Sequence, residues 1–331
     1  GGQLPTSPLI SSRHTLPESL VDEALPPPCP PRLNLAAHTL FADQPGDKIA
    51  LTVAADCTGE GEQHSYDALR EAVRRAAGGF LSAGLQPGER VMLRLGNTAD
   101  FPILFLATIA AGGIAVPTSS QLSPREAAFI AGDVGARFLC KADDLAVEPV
   151  DAAILDEAAI TALKQAAPAE LADTGADDPA FVVYTSGSSG KPKGVVHAHR
   201  SAFARRMMWD GWYGLTEGDR MLHAGAFNWT YTLGAGLLDP WAAGAATVIH
   251  AGPRDPGIWP RLAERHGCTL FAATPGVYRQ LLKYGARVGE GFASLRHGLS
   301  AGEALPDSLA EDWTAETGKP IFEALGMSEI S

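Results

Sequence analysis

Thr185-Ser186-Gly187-Ser188-Ser189-Gly190-Lys191-Pro192-Lys193-Gly194 packs hydroxyls, glycines and two lysines into one short stretch. Glycine lets backbone N–H groups turn toward an anion, serine and threonine hydroxyls donate further hydrogen bonds, and the lysines add point charges. Together they suit a polyphosphate. The stretch is not a Walker A loop, because Pro192 follows Lys191 and Thr185 stands where the first glycine would be. A flexible linker is also rich in Gly and Ser, but it has no need of two lysines bracketing a proline beside an apolar strand. Two later stretches could complete a nucleotide site. Leu299-Ser300-Ala301-Gly302-Glu303-Ala304-Leu305 puts small residues after a predicted strand, where backbone could lie flat against a base. Ala324-Leu325-Gly326-Met327-Ser328-Glu329 ends in a hydroxyl next to a carboxylate, a pair suited to holding a phosphate oxygen and a Mg²⁺ ion together. Taken singly, a helix cap or an ordinary turn also explains either one.

Other constellations lead elsewhere. Gly298-Leu299-Ser300-Ala301-Gly302 matches the GxSxG nucleophile elbow of a serine hydrolase, yet that fold needs its acid and histidine after the serine, and His297 lies before it. His197-Ala198-His199 lacks further clustered ligands, so both histidines read as structural. His223 reads as core, and Arg205-Arg206 as a solvated face. Cys29, Cys57, Cys140 and Cys268 lie far apart without a CxxC pair and read as small buried hydrophobes.

The elements that would position these groups follow a βα rhythm. Phe181-Val182-Val183 reads as an apolar strand running into the lysine-containing stretch. Before it, strands are expected at 48–53, 90–95, 114–116 and 137–140, with helices over 101–111 and 124–133, and Ser65 as the N-cap of a helix closed by Gly84. Residues 141–180 are acidic and alanine-rich and read as a weakly structured connection with one short strand near 153–155. Afterwards come a helix over about 201–212 and strands at 221–223, 246–249, 269–271 and 321–322, with helices between them. The expected fold class is α/β, with two doubly wound, mostly parallel sheet subdomains packed with helices. The expected divisions are a proline-rich extended arm over 1–34, a first subdomain over 35–170 and a second over 171–331. In such sheets, loops at the carboxyl ends of strands collect on one edge, which would gather the three chemical stretches.

Composition sets the bounds. The 331 residues carry 26 basic and 38 acidic side chains, a net charge of −12, so the global field repels nucleic acid and anionic membrane, and phosphate binding must be local. With 46% hydrophobic and 19% charged residues the chain has ample core. No apolar run is long enough for a membrane span and no leader pattern opens the chain, so a cytoplasmic location is expected.

The order and spacing of Tyr184 to Gly194 with Val195-Val196-His197-Ala198-His199-Arg200-Ser201, of Ser300-Ala301-Gly302-Glu303-Ala304-Leu305-Pro306, and of Gly326-Met327-Ser328-Glu329 make a recognisable set. The chain resembles the large N-terminal domain of the adenylate-forming superfamily, which holds acyl- and aryl-CoA synthetases, luciferases and peptide-synthetase adenylation domains. The likeness reaches back to Gly112-Gly113-Ile114-Ala115-Val116-Pro117 and covers nearly everything after residue 34. Within the family, Ser-Ala-Gly-Glu-Ala-Leu-Pro and Asp100-Phe101-Pro102 before an apolar helix are similar to benzoate-CoA and aminobenzoate-CoA ligases.

The resemblance implies a two-step reaction using ATP, Mg²⁺ and CoA. A carboxylate attacks the α-phosphorus of ATP and expels pyrophosphate, and the CoA thiol then displaces AMP from the acyl adenylate. It implies that Thr185, Ser186, Ser188, Ser189 and Lys193, with Gly187, Gly190 and Lys191 in the same loop, grip the β- and γ-phosphates. Gly302, Glu303 and Ala304, with Glu323, Ala324, Leu325, Gly326 and Met327, would border the nucleotide. Ser328 would hold the α-phosphate and Glu329 the Mg²⁺ ion, and Thr185, Lys193, Ser328 and Glu329 would act in the chemical step. Phe227, Trp229, Thr230 and Tyr231, with Gly326, correspond to the acyl-pocket segment and could wall a flat slot for an aromatic acid; core aromatics at a helix start are the other reading. Leu325 departs from the tyrosine often found there. The family also carries a ribose-binding aspartate, a hinge and a small C-terminal domain with a lysine, all expected beyond Ser331. The chain is therefore expected to be a fragment, impaired alone in adenylation. A short- or medium-chain fatty acyl-CoA synthetase and a non-catalytic nucleotide-binding module are the alternatives. The expected partner is a small carboxylic acid, not nucleic acid, and homodimerisation stays open.

Overall fold

The computed structural model describes residues 27–186 and 190–324. Two sheets organise them. The first has six strands in the order β6-β5-β3-β4-β7-β8, namely β3 (Arg90–Arg94), β4 (Ile114–Pro117), β5 (Ala136–Lys141), β6 (Ala153–Leu155), β7 (Pro179–Ser186) and β8 (Pro192–Ala198). The second has seven in the order β13-β12-β11-β9-β10-β1-β2. Its members are β1 (Ile49–Ala54), β2 (Glu62–Ser65), β9 (Arg220–His223), β10 (Ala246–His250), β11 (Leu270–Ala273), β12 (His297–Ser300) and β13 (Ile321–Glu323). All neighbours pair in parallel except the two hairpin pairs, β1 with β2 and β7 with β8. The doubly wound, mostly parallel α/β expectation is met.

The division near residue 170 does not separate the sheets. Strands β1 and β2 lie in the second sheet, and β7 and β8 in the first. Chain order therefore crosses between the layers twice, which local periodicity cannot reveal. Residues 31–33 are tied to the segment that leads into β7, where Leu33 N–H donates to Thr174 C=O at 2.9 Å and Ala176 N–H to Pro31 C=O at 2.9 Å.

The core sits between the layers. The helix Asp100–Ala110 is apolar on every side and buries every residue from Phe101 to Ala110, as a helix without a polar face must. Its Phe105 meets Phe181 of β7 edge-on at 5.5 Å, and its Phe101 stacks on Phe227 of the other half at 5.4 Å. Each core strand is a continuous run such as Val91-Met92-Leu93, buried on both faces as parallel sheets require. Ser65 caps the helix Tyr66–Ser82 by accepting from Ala68 N–H, as expected.

Several local expectations are corrected. The stretch 201–212 is a short helix, Arg200–Ala204, then a π-helical turn, Trp209–Tyr213. Strands β2 and β8 were not anticipated, and 141–180 contains the helix Glu157–Leu163, capped by Asp156. Arg205 is not on a solvated face: it is buried against Asp239, whereas Arg206 is exposed and lies over Phe203 and Trp209. Cys140 and Cys268 are buried, but Cys29 and Cys57 are only partly covered. No described helix is long and apolar enough to cross a membrane.

Candidate nucleotide and acid site

The lysine-containing stretch spans the end of β7 and the start of β8, which pair as a β-hairpin. Strand β7 is anchored beside β4 with Phe181, Val182 and Val183 buried, and the Tyr184 hydroxyl donates to Asp133 Oδ2 at 2.6 Å from the helix Pro124–Val134. Past Tyr184 the chain emerges. Thr185 is partly covered, and Ser186, Gly190, Lys191 and Lys193 are exposed. Thr185 stands directly opposite Lys193, and Ser186 opposite Pro192. Cross-strand partners share a face, so one side of the ribbon carries a hydroxyl and an ammonium together. Gly190 takes φ +80°, which a residue with a Cβ avoids. Gly187, Ser188 and Ser189 lie outside the described residues.

The second stretch sits where β12 and β13 end side by side. Gly302, Glu303 and Ala304 are all exposed, and Gly302 turns the chain at φ +99°. The Glu323 carboxylate accepts from Leu305 N–H, and Ala324 N–H donates to Ser300 C=O at 2.9 Å. These bonds tie the two strand ends into one ledge. Leu325, Gly326, Met327, Ser328 and Glu329 lie outside the described residues. Among the described residues no group of three His, Cys, Asp or Glu could hold a metal ion. The hydrolase reading fails here, because Ser300 is 0% exposed and no substrate carbonyl could reach its hydroxyl.

The four aromatic-segment residues divide between core and surface. Phe227 is buried in the core against Phe101. Trp229 is 54% exposed and Thr230 partly covered. Tyr231 stands between the strands: its hydroxyl lies 3.1 Å from Leu299 C=O on β12 and 3.2 Å from Ala273 C=O on β11, donating to one at a time. Burial drives its ionisation well above the usual tyrosine range, so the group is a fixed donor. His223 meets the Tyr231 ring edge-on at 4.7 Å, and burial lowers its pKa to about 3, which keeps it neutral. Trp212, which the sequence reading overlooked, faces Tyr231 with ring centroids 6.2 Å apart. The available signal was the aromatic density of Trp209, Trp212 and Tyr213 ahead of β9.

The two sheets meet at this edge. Asn97, just past β3, donates from Nδ2 to Gly225 C=O at 3.0 Å and accepts from Phe227 N–H at 3.4 Å. The carboxyl end of β3 thus touches the loop after β9. Strand β7 runs parallel in the sheet of β3, so the hairpin turn opens from the same edge. His197 and His199 are structural, as expected. The first stacks on Phe181 at 4.6 Å, and the Nδ1 of the second accepts from Leu35 N–H at 2.8 Å.

Known proteins share both fold and sequence. The chain is 30% identical over 284 residues to a 3-hydroxybenzoate–CoA ligase of Aromatoleum sp. (strain CIB), covering 80% of this chain and 54% of that protein. It is 30% identical over 340 residues to a benzoate–CoA ligase of Thauera aromatica, covering 94% and 62%. A crystal structure of a benzoate CoA ligase from Burkholderia xenovorans LB400 superposes with a TM-score of 0.80 at 27% identity, covering 90% of this chain and 61% of that one. The chain therefore spans little more than half the length of these relatives. The model of the AMP-binding enzyme family matches residues 39–331, and the chain belongs to that family.

Proposed function

We propose that this chain forms the nucleotide- and acid-binding part of an AMP-forming carboxylate–CoA ligase acting on an aromatic acid such as benzoate or a derivative. The supporting observation is the pairing of Thr185 with Lys193 on an exposed hairpin at the edge where both sheets present their carboxyl ends. The family match and the hydroxybenzoate and benzoate ligases among its relatives favour the same reading.

Phosphoryl and adenylyl transfers are catalysed mainly by positioning and charge neutralisation. In this reading Lys193 and Lys191, with the Thr185 and Ser186 hydroxyls, hold the β- and γ-phosphates and offset the charge of departing pyrophosphate. Gly187, Ser188, Ser189 and Gly190 are assigned to the same phosphates on the resemblance alone. Gly302, Glu303, Ala304, Glu323 and Ala324 offer the ledge for adenine, and Leu325, Gly326 and Met327 are assigned to the nucleotide on the resemblance alone. Ser328 binds the α-phosphate. Glu329 is assigned to Mg²⁺ on the resemblance alone, and the ion would supply charge neutralisation. The acid carboxylate oxygen bonds to the α-phosphorus as pyrophosphate leaves, and the CoA sulfur then bonds to the acyl carbon as AMP leaves. Trp229, Thr230 and Tyr231 border the acid. Phe227 supports that wall from the core.

Calorimetric titration of the chain with benzoate, 3-hydroxybenzoate and hexanoate tests this reading, with Mg²⁺ and α,β-methylene-ATP present. The expected order places both aromatic acids ahead of hexanoate. A preference for hexanoate overturns the aromatic assignment, and no binding of the nucleotide analogue overturns the ligase assignment.

A further inference from the structure

Two π-helical turns flank the acid-side residues Phe227 to Tyr231, Trp209–Tyr213 before them and Gly234–Leu238 after them. Such turns interrupt regular α-helical bonding and recur at functional sites. A buried triad joins this pair. Arg205 donates to the Asp239 carboxylate through Nε at 3.0 and 3.1 Å and through Nη2 at 2.8 Å, and the Tyr213 hydroxyl donates to the same carboxylate at 2.7 Å. Burial opposes the charge on Arg205, and the adjoining Asp239 outweighs it, holding the guanidinium above its usual range. A Cβ on Gly234 would stand 2.1 Å from Arg205 Cζ, so only glycine lets the second turn lie on the guanidinium.

The triad fixes the place of Trp212. Its ring packs on Tyr213 at 4.7 Å and faces Tyr231 at 6.2 Å, while its Nε1–H donates to Phe322 C=O at 3.1 Å. Phe322 lies on β13, two residues before Ala324. Tyr231 in turn reaches Leu299 C=O on β12. Two aromatic donors from the acid side are thus fastened to the two strands that end in the adenine ledge.

We propose that Trp212 is a positioning residue that couples acid binding to nucleotide binding. Its ring braces Tyr231, and its indole N–H holds β13. An aromatic acid seated against Tyr231 therefore sets the strand end presented to the nucleotide. This rests on the ligase reading above and adds a residue and a linkage to it.

The coupling is measured as the ratio of benzoate dissociation constants for the purified chain with Mg²⁺ alone and with saturating Mg²⁺ and α,β-methylene-ATP. The unvaried chain should show tightening of about 5-fold or more. Trp212→Phe keeps an aromatic ring and removes the donor, and should bring the ratio to within about 2-fold of one. A purely structural role would lower the melting temperature and leave the ratio intact. Benzothienylalanine at position 212 keeps the bicyclic shape without the N–H and gives the same comparison should Trp212→Phe fold poorly. A ratio unchanged in either variant overturns the proposal, as does a ratio near one in the unvaried chain when both ligands bind. If the unvaried chain binds neither ligand, the ligase reading itself fails and the coupling falls with it.

Discussion

At the scale of single residues, the exposed hairpin separates function from stability. Lys193 is solvent-facing and opposite Thr185, so its removal leaves packing intact. Lys193→Ala should weaken Mg²⁺–ATP binding by about 10-fold, the range of a lost charge-assisted hydrogen bond, with folding free energy changed by less than about 0.5 kcal/mol. Calorimetry and thermal melting measure the two quantities; a large loss of melting temperature would show the loop to be structural. Phe227 behaves oppositely. Its side chain is buried against Phe101, and Phe227→Ala should cost about 3–5 kcal/mol in urea unfolding. Thr185 and Lys193 were legible as a candidate pair because their chemistry is local, and the structure sets them opposite each other. The burial of Phe227 was not, since an aromatic at a helix start reads the same in a wall or in a core.

At the scale of elements, what matters is which segment lies on which. Gly234→Ala forces a methyl into the Arg205 guanidinium, and Asp239→Asn leaves that guanidinium buried without its counter-charge. Each should destabilise the chain by about 3 kcal/mol, read as a lower urea midpoint. A change under about 0.5 kcal/mol for Asp239→Asn would mean the pair is solvated in solution. Arg205 looked exposed in sequence because it stands beside Arg206, with its partner thirty-four residues away. Helices such as Tyr66–Ser82 were readable from Ser65 and the apolar spacing, whereas β8 was hidden because Pro192-Lys193-Gly194 does not alternate in an apolar pattern.

At the scale of the molecule, buried histidines link stability to pH. Burial lowers His38 and His199 to about 4 and His223 to about 3, with Arg206 adding to the effect at His38. Their folded forms bind protons less readily than the unfolded chain, whose histidines titrate near 6.5. Stability is therefore full above about pH 6.5 and falls as pH drops toward 4. Protonating His199 Nδ1 also removes the acceptor of Leu35 N–H and frees the first turn of Leu35–Leu40 from the start of the helix Arg200–Ala204. Urea unfolding between pH 7 and pH 4.5 should show this decline, and His223→Phe should make it shallower. A flat profile would mean these rings are solvated. Asn97 joins the two sheets through Gly225 and Phe227, and Asn97→Ala should weaken benzoate binding by several-fold while costing about 1–2 kcal/mol of stability.

The sequence by itself determined the α/β alternation, the Ser65 cap and the position of three candidate chemical stretches, because helix and strand periodicity and turn chemistry act over a few residues. Only the tertiary structure decided that β1 and β2 join the later strands, that β7 and β8 join the earlier ones, and that Trp212 meets both Tyr231 and Phe322. Those contacts join residues far apart in the chain. They arise from how whole elements pack against one another, and local residue order carries no record of that packing.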